Sequence, residues 1–324
     1  MKKIMTIAMM VVAMAAFSQM QIGKNKLMAG AGLGYDMTTV TDMAGDDVSA
    51  SAMTLYVPEV NYQFEAKPND MFKLYLYAGL GYQIESFTVD GESADESAKT
   101  MDLYLNPMVK GYFANNLFAK IALPYNYMSY TAPIADAEAV ALTGMNMILS
   151  GGFDNREIEI HALTPWNNFE KGMAFYGIYD MGIMASYDGT AAEELASYFG
   201  VAGYYAHMME NMMVKPYLMY KMGMNDLVDE SSYLDLGLIF AKDFNEKMNM
   251  EAGLNFNMHM LPEADALDND AYNTLDVDAK VNYYVMPELD VFGGFGVNMD
   301  LTTEDANPIY SILVGAEYTL NFVK

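Results

Sequence analysis

Polar and apolar residues alternate along most of this chain. From Met248 to Met260 the even positions (Met248, Met250, Ala252, Leu254, Phe256, Met258 and Met260) are apolar, while Asn249, Glu251, Gly253, Asn255, Asn257 and His259 fill the odd ones. A period of two places successive side chains on opposite faces of an extended strand, so one face meets an apolar neighbour and the other meets water. The pattern recurs upstream. Thr54 to Phe64 sets Tyr56, Val60, Tyr62 and Phe64 against Glu59, Asn61 and Gln63. Phe72 to Glu85 sets Leu74, Leu76, Leu80, Tyr82 and Ile84 against Lys73, Tyr75, Tyr77, Gly79, Gly81, Gln83 and Glu85.

Read this way, the chain predicts strands over 27–37, 54–64, 72–85, 101–110, 117–127, 156–163, 174–186, 198–209, 213–224, 233–241, 248–260, 271–285, 291–299 and 309–322, fourteen in all. Connections with short turn chemistry, such as Lys67–Asp70 and Asn115–Asn116, alternate with longer ones. The longer ones are acidic and carry no Lys or Arg: Asp46, Asp47, Glu92, Asp95, Glu96, Glu193, Glu194, Asp229, Glu230, Asp265, Asp268 and Asp270 all fall in them. One end of the molecule is therefore expected to be strongly anionic. The longest connection, Thr131 to Asn155, includes the apolar Met145, Met147, Ile148 and Leu149. It reads as a hairpin added to the wall, a loop folded inside, or a strand missed in the count.

The first residues change the picture. Met1-Lys2-Lys3, an apolar run from Ile4 to Phe17 and the small-x-small site Ala16-Phe17-Ser18 predict a signal peptide over 1–18, with a single domain over 19–324. An exported chain with no Cys, 53% hydrophobic residues and no apolar run long enough for a membrane-spanning helix fits strands that face lipid. The formal net charge of −26 argues against nucleic acid as a partner, since phosphate contacts need a basic face.

The last strand runs Tyr310, Ile312, Val314, Ala316, Tyr318, Leu320 and Phe322 along one apolar face. It resembles the terminal strand of Gram-negative outer-membrane β-barrel proteins, whose closing aromatic is implied to signal assembly; here that aromatic stands two residues before the end. The resemblance covers architecture, with no motif of one porin family. It implies an all-β, up-and-down antiparallel transmembrane barrel in the cell outer membrane, surrounded by lipid and lipopolysaccharide, and monomeric. Aromatics near strand ends (Tyr62, Phe64, Tyr112, Phe113, Phe118, Trp166, Phe175, Tyr283 and Tyr284 at the short turns; Tyr127, Tyr130, Tyr187 and Tyr198 toward the loops) read as interfacial girdles.

In such a barrel the polar face lines the lumen. The expected lining acids include Glu59, Glu85, Asp102, Glu157, Glu159, Asp180, Asp235, Glu251, Asp276, Asp278 and Glu317, and the bases Lys73, Lys110, Lys120, Lys215, Lys221 and Lys280. His161 and His259 are expected there too, and His207 lies on another strand. No serine, second carboxylate or His-x-x-x-His spacing completes a catalytic or metal site, so no reaction and no cofactor are expected. The 32 Met are read mainly as apolar lipid-facing side chains. Inner glycines at Gly30, Gly32, Gly34, Gly294 and Gly296 are expected to leave a recess in the wall beside the closing strand.

The function expected is passive diffusion of small solutes, with cations preferred because acids exceed bases in the lumen and loops. A transporter of hydrophobic molecules is the alternative, although Gln19–Lys26 leaves little chain for a plug; a loop-displaying adhesin or antigen is another. Divalent cations at the acidic loops would bridge to lipopolysaccharide.

Overall fold

The computed structural model describes residues 21–41, 47–69, 71–94, 96–134, 137–160, 168–225, 228, 231–260, 271–303 and 306–322. The expected signal peptide at 1–18 lies outside them, as do His161, Asp46, Asp95, Asp229, Glu230, Asp265, Asp268 and Asp270. Fourteen antiparallel strands form a closed barrel. They are β1 (Gln21–Thr41), β2 (Asp47–Asn69), β3 (Phe72–Val89), β4 (Ala98–Tyr112), β5 (117–131), β6 (Val140–Asp154) and β7 (Asn168–Tyr187). The rest are β8 (Ser197–Met209), β9 (Met212–Gly223), β10 (Ser232–Asn245), β11 (Met248–Met260), β12 (Ala271–Met286), β13 (Leu289–Asp300) and β14 (Ile309–Asn321). Each pairs with its sequence neighbours, and β1 also pairs with β14 from Lys26↔Asn321 to Met37↔Tyr310. That seam gives both edge strands partners, which lipid demands because it offers no hydrogen bonds to a free edge.

β5 is one strand with a break. Its halves, Leu117–Ala122 and Tyr125–Thr131, keep a single register against β4, from Met108↔Ala122 to Leu105↔Tyr125. Pro124 has no N–H to give the ladder, yet its carbonyl still accepts from the N–H of Asn146 at 3.0 Å.

Two expectations need correction. The stretch read as the connection Thr131–Asn155 contains a full wall strand, β6, paired to β5 on one side and to β7 on the other. Conversely, the described part of the strand expected over 156–163, residues 156–160, is no part of the wall. Glu157–Ile160 pairs only with Asn168–Lys171, as a small hairpin beyond the end of β6. Glu157 and Glu159 therefore sit in that extension, not in a barrel strand. The two errors cancel in the total. Between wall and hairpin, Gly172 takes φ +116°, a conformation that disfavours side chains, where a Cβ would stand 2.9 Å from the Asn155 carbonyl.

A third correction concerns Tyr56. The ladder slips between Gly30 and Gly32 on the β1 side, and between Tyr56 and Val60 on the β3 side. Pro58 lies inside the slip and cannot donate to either neighbour. An extra residue at a period of two reverses the faces. Tyr56 consequently turns inward, and a Cβ on Gly34 would meet its ring at 3.3 Å.

Elsewhere the alternation divides the two surfaces. Leu33, Leu103, Leu236, Ile312 and Val314 are exposed on the outside, as is Leu254 at 44%, whereas its odd-numbered strand-mate Asn249 is 1% exposed on the inside. Apolar side chains exposed around the whole wall make a lipid-facing belt. Buried apolar residues inside the barrel include Phe118, Ala174, Ala206, Met213 and Ala241 toward the short turns, and Ala98 at the loop end of β4. Replacing outward Leu254 by Arg is expected to cost about 2–4 kcal/mol of stability in lipid vesicles, because the charge enters hydrocarbon. Asn257→Arg, facing the wet side, should stay within roughly 1 kcal/mol. Urea unfolding of the two variants checks this, and equal losses would contradict the assignment of faces.

Candidate functional site: the lumen wall

Inside the barrel the wall has two sectors of different chemistry. On β3 to β9, toward the short turns, cations and aromatic rings predominate. Lys73, Lys110 and Lys120 stand at one level, as direct register partners on three successive strands. Lys110 is 4% exposed and forms a buried ion pair with Asp154, which is 5% exposed. Arg156 comes back inward from the start of the small hairpin and grips the same carboxylate: Nε donates to Oδ1 and Nη2 to Oδ2, both at 2.8 Å. Its guanidinium lies 4.8 Å from the Tyr204 ring, whose other cation is Lys215 at 4.6 Å. Lys110 also lies 4.0 Å from the centre of the Phe118 ring and 4.7 Å from that of Tyr112. Guanidinium and ammonium groups favour ring faces when partly removed from water. Lys73 reaches Glu65 at 3.9 Å.

On β10 to β14 carboxylates and amides predominate. Asp276 accepts from Asn257 at 2.9 Å and from Asn298. Asn282 donates to Asn249, which donates to the hydroxyl of Tyr284, both at 2.8 Å. Asp235, Asp243, Glu251, Asp278, Asp290 and Glu317 share this inner face by strand parity, and Lys280 lies 4.0 Å from the Phe292 ring. A cavity of about 190 Å³ beside the closing strand is lined by Lys26, Glu251, Lys280, Glu288, Asp290 and Glu317 among others.

None of Gly30, Gly32, Gly34, Gly294 and Gly296 is among the residues lining the cavity near the seam. The cavity near the seam is walled by charged side chains, and inner glycines serve as seats for their neighbours. A Cβ on Gly315 would stand 2.5 Å from the Phe292 ring, and one on Gly81 would stand 2.6 Å from an Asp102 oxygen. Removing the Cβ lets a large side chain lie flat across the wall.

Of the other residues singled out from sequence, Lys73, Glu85, Asp102, Lys110 and His259 are on the inner face. His259 stacks on Tyr233 with ring centres 3.8 Å apart, and Tyr233 meets Tyr198 edge-on at 5.4 Å. His207 points outward, stacked with Tyr205. Lys221, facing in, pairs with Asp180 at 3.1 Å. Glu92, Glu96, Glu193 and Glu194 are exposed in the long loops, whereas nothing is described of the Asp47 side chain. The expected girdle is only partly outside: Phe113, Phe175, Tyr187 and Tyr283 are exposed, but Tyr112, Phe118, Tyr198 and Tyr284 line the lumen. Their parity with Lys110, Lys120 and Asn282 in the sequence carries that signal. Asp154 and Ser150 were missed because the strand that places them was read as a connection, and Arg156 because it was read as the start of a wall strand and instead turns back to Asp154.

Asp154 holds the cationic sector together. Asp154→Asn would leave Lys110 buried without its counter-charge, and is expected to cost about 3–5 kcal/mol. The double variant Asp154→Asn, Lys110→Met should recover much of that loss in urea unfolding, because the fully buried cation is then gone and only the more exposed Arg156 loses its carboxylate.

No protein-family model matches the sequence, and no curated protein aligns with it significantly. Solved structures do share its fold. A deletion variant of the monoaromatic hydrocarbon channel TodX superposes with a TM-score of 0.51 at 11% identity, covering 93% of this chain and 91% of that one. A second variant of that channel gives 0.50 at 10%, covering 95% and 92%. An outer membrane channel from Pseudomonas putida F1 gives 0.48 at 10%, covering 93% and 98%. Together with the closed fourteen-strand wall and its outward apolar belt, the likeness to the two TodX variants shows that the chain has the fold of a closed antiparallel β-barrel.

Proposed function

We propose that the barrel is a channel for passive diffusion of small solutes across the outer membrane, that it prefers cations, and that it catalyses no reaction. The observation that carries the reading is the exposure of inward carboxylates: Asp102, Glu251 and Asp278 all face the lumen and are solvent-exposed. Charge that water reaches inside a low-dielectric wall acts on passing ions far more than charge on an open surface. On β10 to β14 the acids outnumber Lys280, and the exposed loop acids Glu92, Glu96, Glu193 and Glu194 add to the negative potential at the mouth. Export directed by residues 1–18, a monomeric state, and divalent cations bridging the acidic loops to lipopolysaccharide belong to the same proposal.

A second reading has one observation in its favour. The fold likeness to a monoaromatic hydrocarbon channel, with the Tyr198–Tyr233–His259 ring cluster inside the barrel, suits an apolar solute.

Planar-bilayer recording of the purified protein separates the two. A salt gradient should give a reversal potential of the cation-selective sign, and Asp276→Lys with Asp278→Lys should move it toward zero or past it. A silent bilayer combined with accelerated toluene entry into protein-loaded vesicles would favour the apolar solute instead; anion preference at neutral pH would refute the charge argument.

A further inference from the structure

Among the described residues, Lys120 has no carboxylate partner; its recorded contact is the Tyr176 ring, 5.7 Å from Nζ. It nevertheless stands beside Lys110, which stands beside Lys73, a row of like charges on directly opposed positions. Such pairs are destabilising unless something offsets them. Asp154 serves Lys110 and Arg156, and Glu65 serves Lys73. Lys120 is left over.

On its other side the register partner of Lys120 is Ser150 of β6. Ser150 faces inward, is only 8% exposed and is walled beyond by Ile178. Its hydroxyl makes no hydrogen bond among the described residues. A buried hydroxyl without a partner costs free energy, so its persistence next to a lysine with no ion pair of its own calls for a cause. Against this pair lie the rings of Tyr176 and Phe118, edge to face with centres 5.7 Å apart.

We propose that Lys120 and Ser150 form a binding station for the carboxylate of a small solute in the lumen. Two donors, one charged and one neutral, match the two oxygens of a carboxylate; a phosphate or sulfate would leave further oxygens without donors in a half-buried wall. The neighbouring rings suit a planar apolar body attached to that group, so an aromatic carboxylate is the class that fills both parts of the site. The row of lysines raises the local potential and draws the anion to this wall, away from the carboxylates on β10 to β14.

Benzoate is the probe, and equilibrium dialysis of the purified barrel in detergent is the measurement. The intact protein should bind it saturably, near one per chain. Lys120→Met should weaken binding roughly tenfold or more, the loss of a charge-assisted hydrogen bond, and Ser150→Ala roughly three- to tenfold. Lys247→Met, the same charge change on an exposed turn, should leave binding unchanged. If Lys120→Met fails to fold, Ser150→Ala alone decides, because it removes one atom from a small side chain. No saturable binding by the intact protein, or undiminished binding in both lumen variants, overturns the proposal. Displacement of benzoate by equimolar inorganic phosphate overturns the carboxylate assignment. As a station for a translocated solute the site rests on the channel reading; saturable binding beside a silent bilayer would refute the channel and leave the station standing.

Discussion

Closure of the backbone hydrogen-bond ladder is the constraint from which the rest of this molecule follows. Hydrocarbon offers no partner for an N–H or C=O, so a strand wall in lipid must end where it began. Pairing of Gly30 with Glu317 and of Leu33 with Val314 at the β1–β14 seam meets that demand. Once the wall is closed, alternation separates two solvents: Leu254 and its even-numbered neighbours meet lipid while Asn249 and Glu251 meet the interior. The polar interior is thus a geometric consequence of the apolar exterior. What remains to be explained is which polar groups occupy it and how they are kept apart.

Asp154 is the clearest instance. One carboxylate receives Lys110 from β4 and Arg156 from just beyond its own strand, so charges brought in by two elements share one counter-ion. Removing two cations and one anion from water is unfavourable unless donors and acceptors are matched, and here Arg156 supplies two side-chain donors in a fixed fork. The Phe118, Tyr112 and Tyr204 faces absorb the positive charge left over. This sector is rigidly built, whereas Asp102, Glu251 and Asp278 stay exposed elsewhere on the inner wall.

Most of this was legible in the sequence for a physical reason: a period of two survives wherever the two sides of a wall differ strongly. Met248–Met260 became β11 with the same bounds. Legibility failed where the two sides differ little. β6 carries Gly144, Asn146, Ile148, Ser150, Gly152 and Asp154 inward, polar groups interleaved with small and apolar ones, so its alternation with Met145, Met147 and Leu149 is weak and the strand was read as a connection. Glu157 and Glu159 alternate well with Ile158 and Ile160 yet lie outside the wall, since periodicity reports extension and not membership of the barrel. At Tyr56 the pattern was correct on each side of Pro58, but the slip between them reversed its meaning. Even the count survived only because a missed strand and a surplus one compensated.

The feature that sequence parity does show, and composition hides, is the separation of charge around the lumen. A formal net charge of −26 suggests a uniformly acidic interior. Instead Lys73, Lys110, Lys120, Lys215 and Lys221, with Arg156 just beyond β6, gather on β3 to β9 beside Glu85, Asp102, Asp154 and Asp180, while Asp235, Glu251, Asp276, Asp278, Asp290 and Glu317 gather with Lys280 alone on β10 to β14. Opposed charge in a low-dielectric wall acts over longer distances than it would in water, because screening is weaker there. A monopolar cation feels mainly the acidic sector, but a solute carrying a charged group on an apolar body is turned as well as attracted. Net charge therefore governs which ions are drawn to the barrel, and the arrangement of that charge governs how a solute is held once inside; the two need not favour the same molecule.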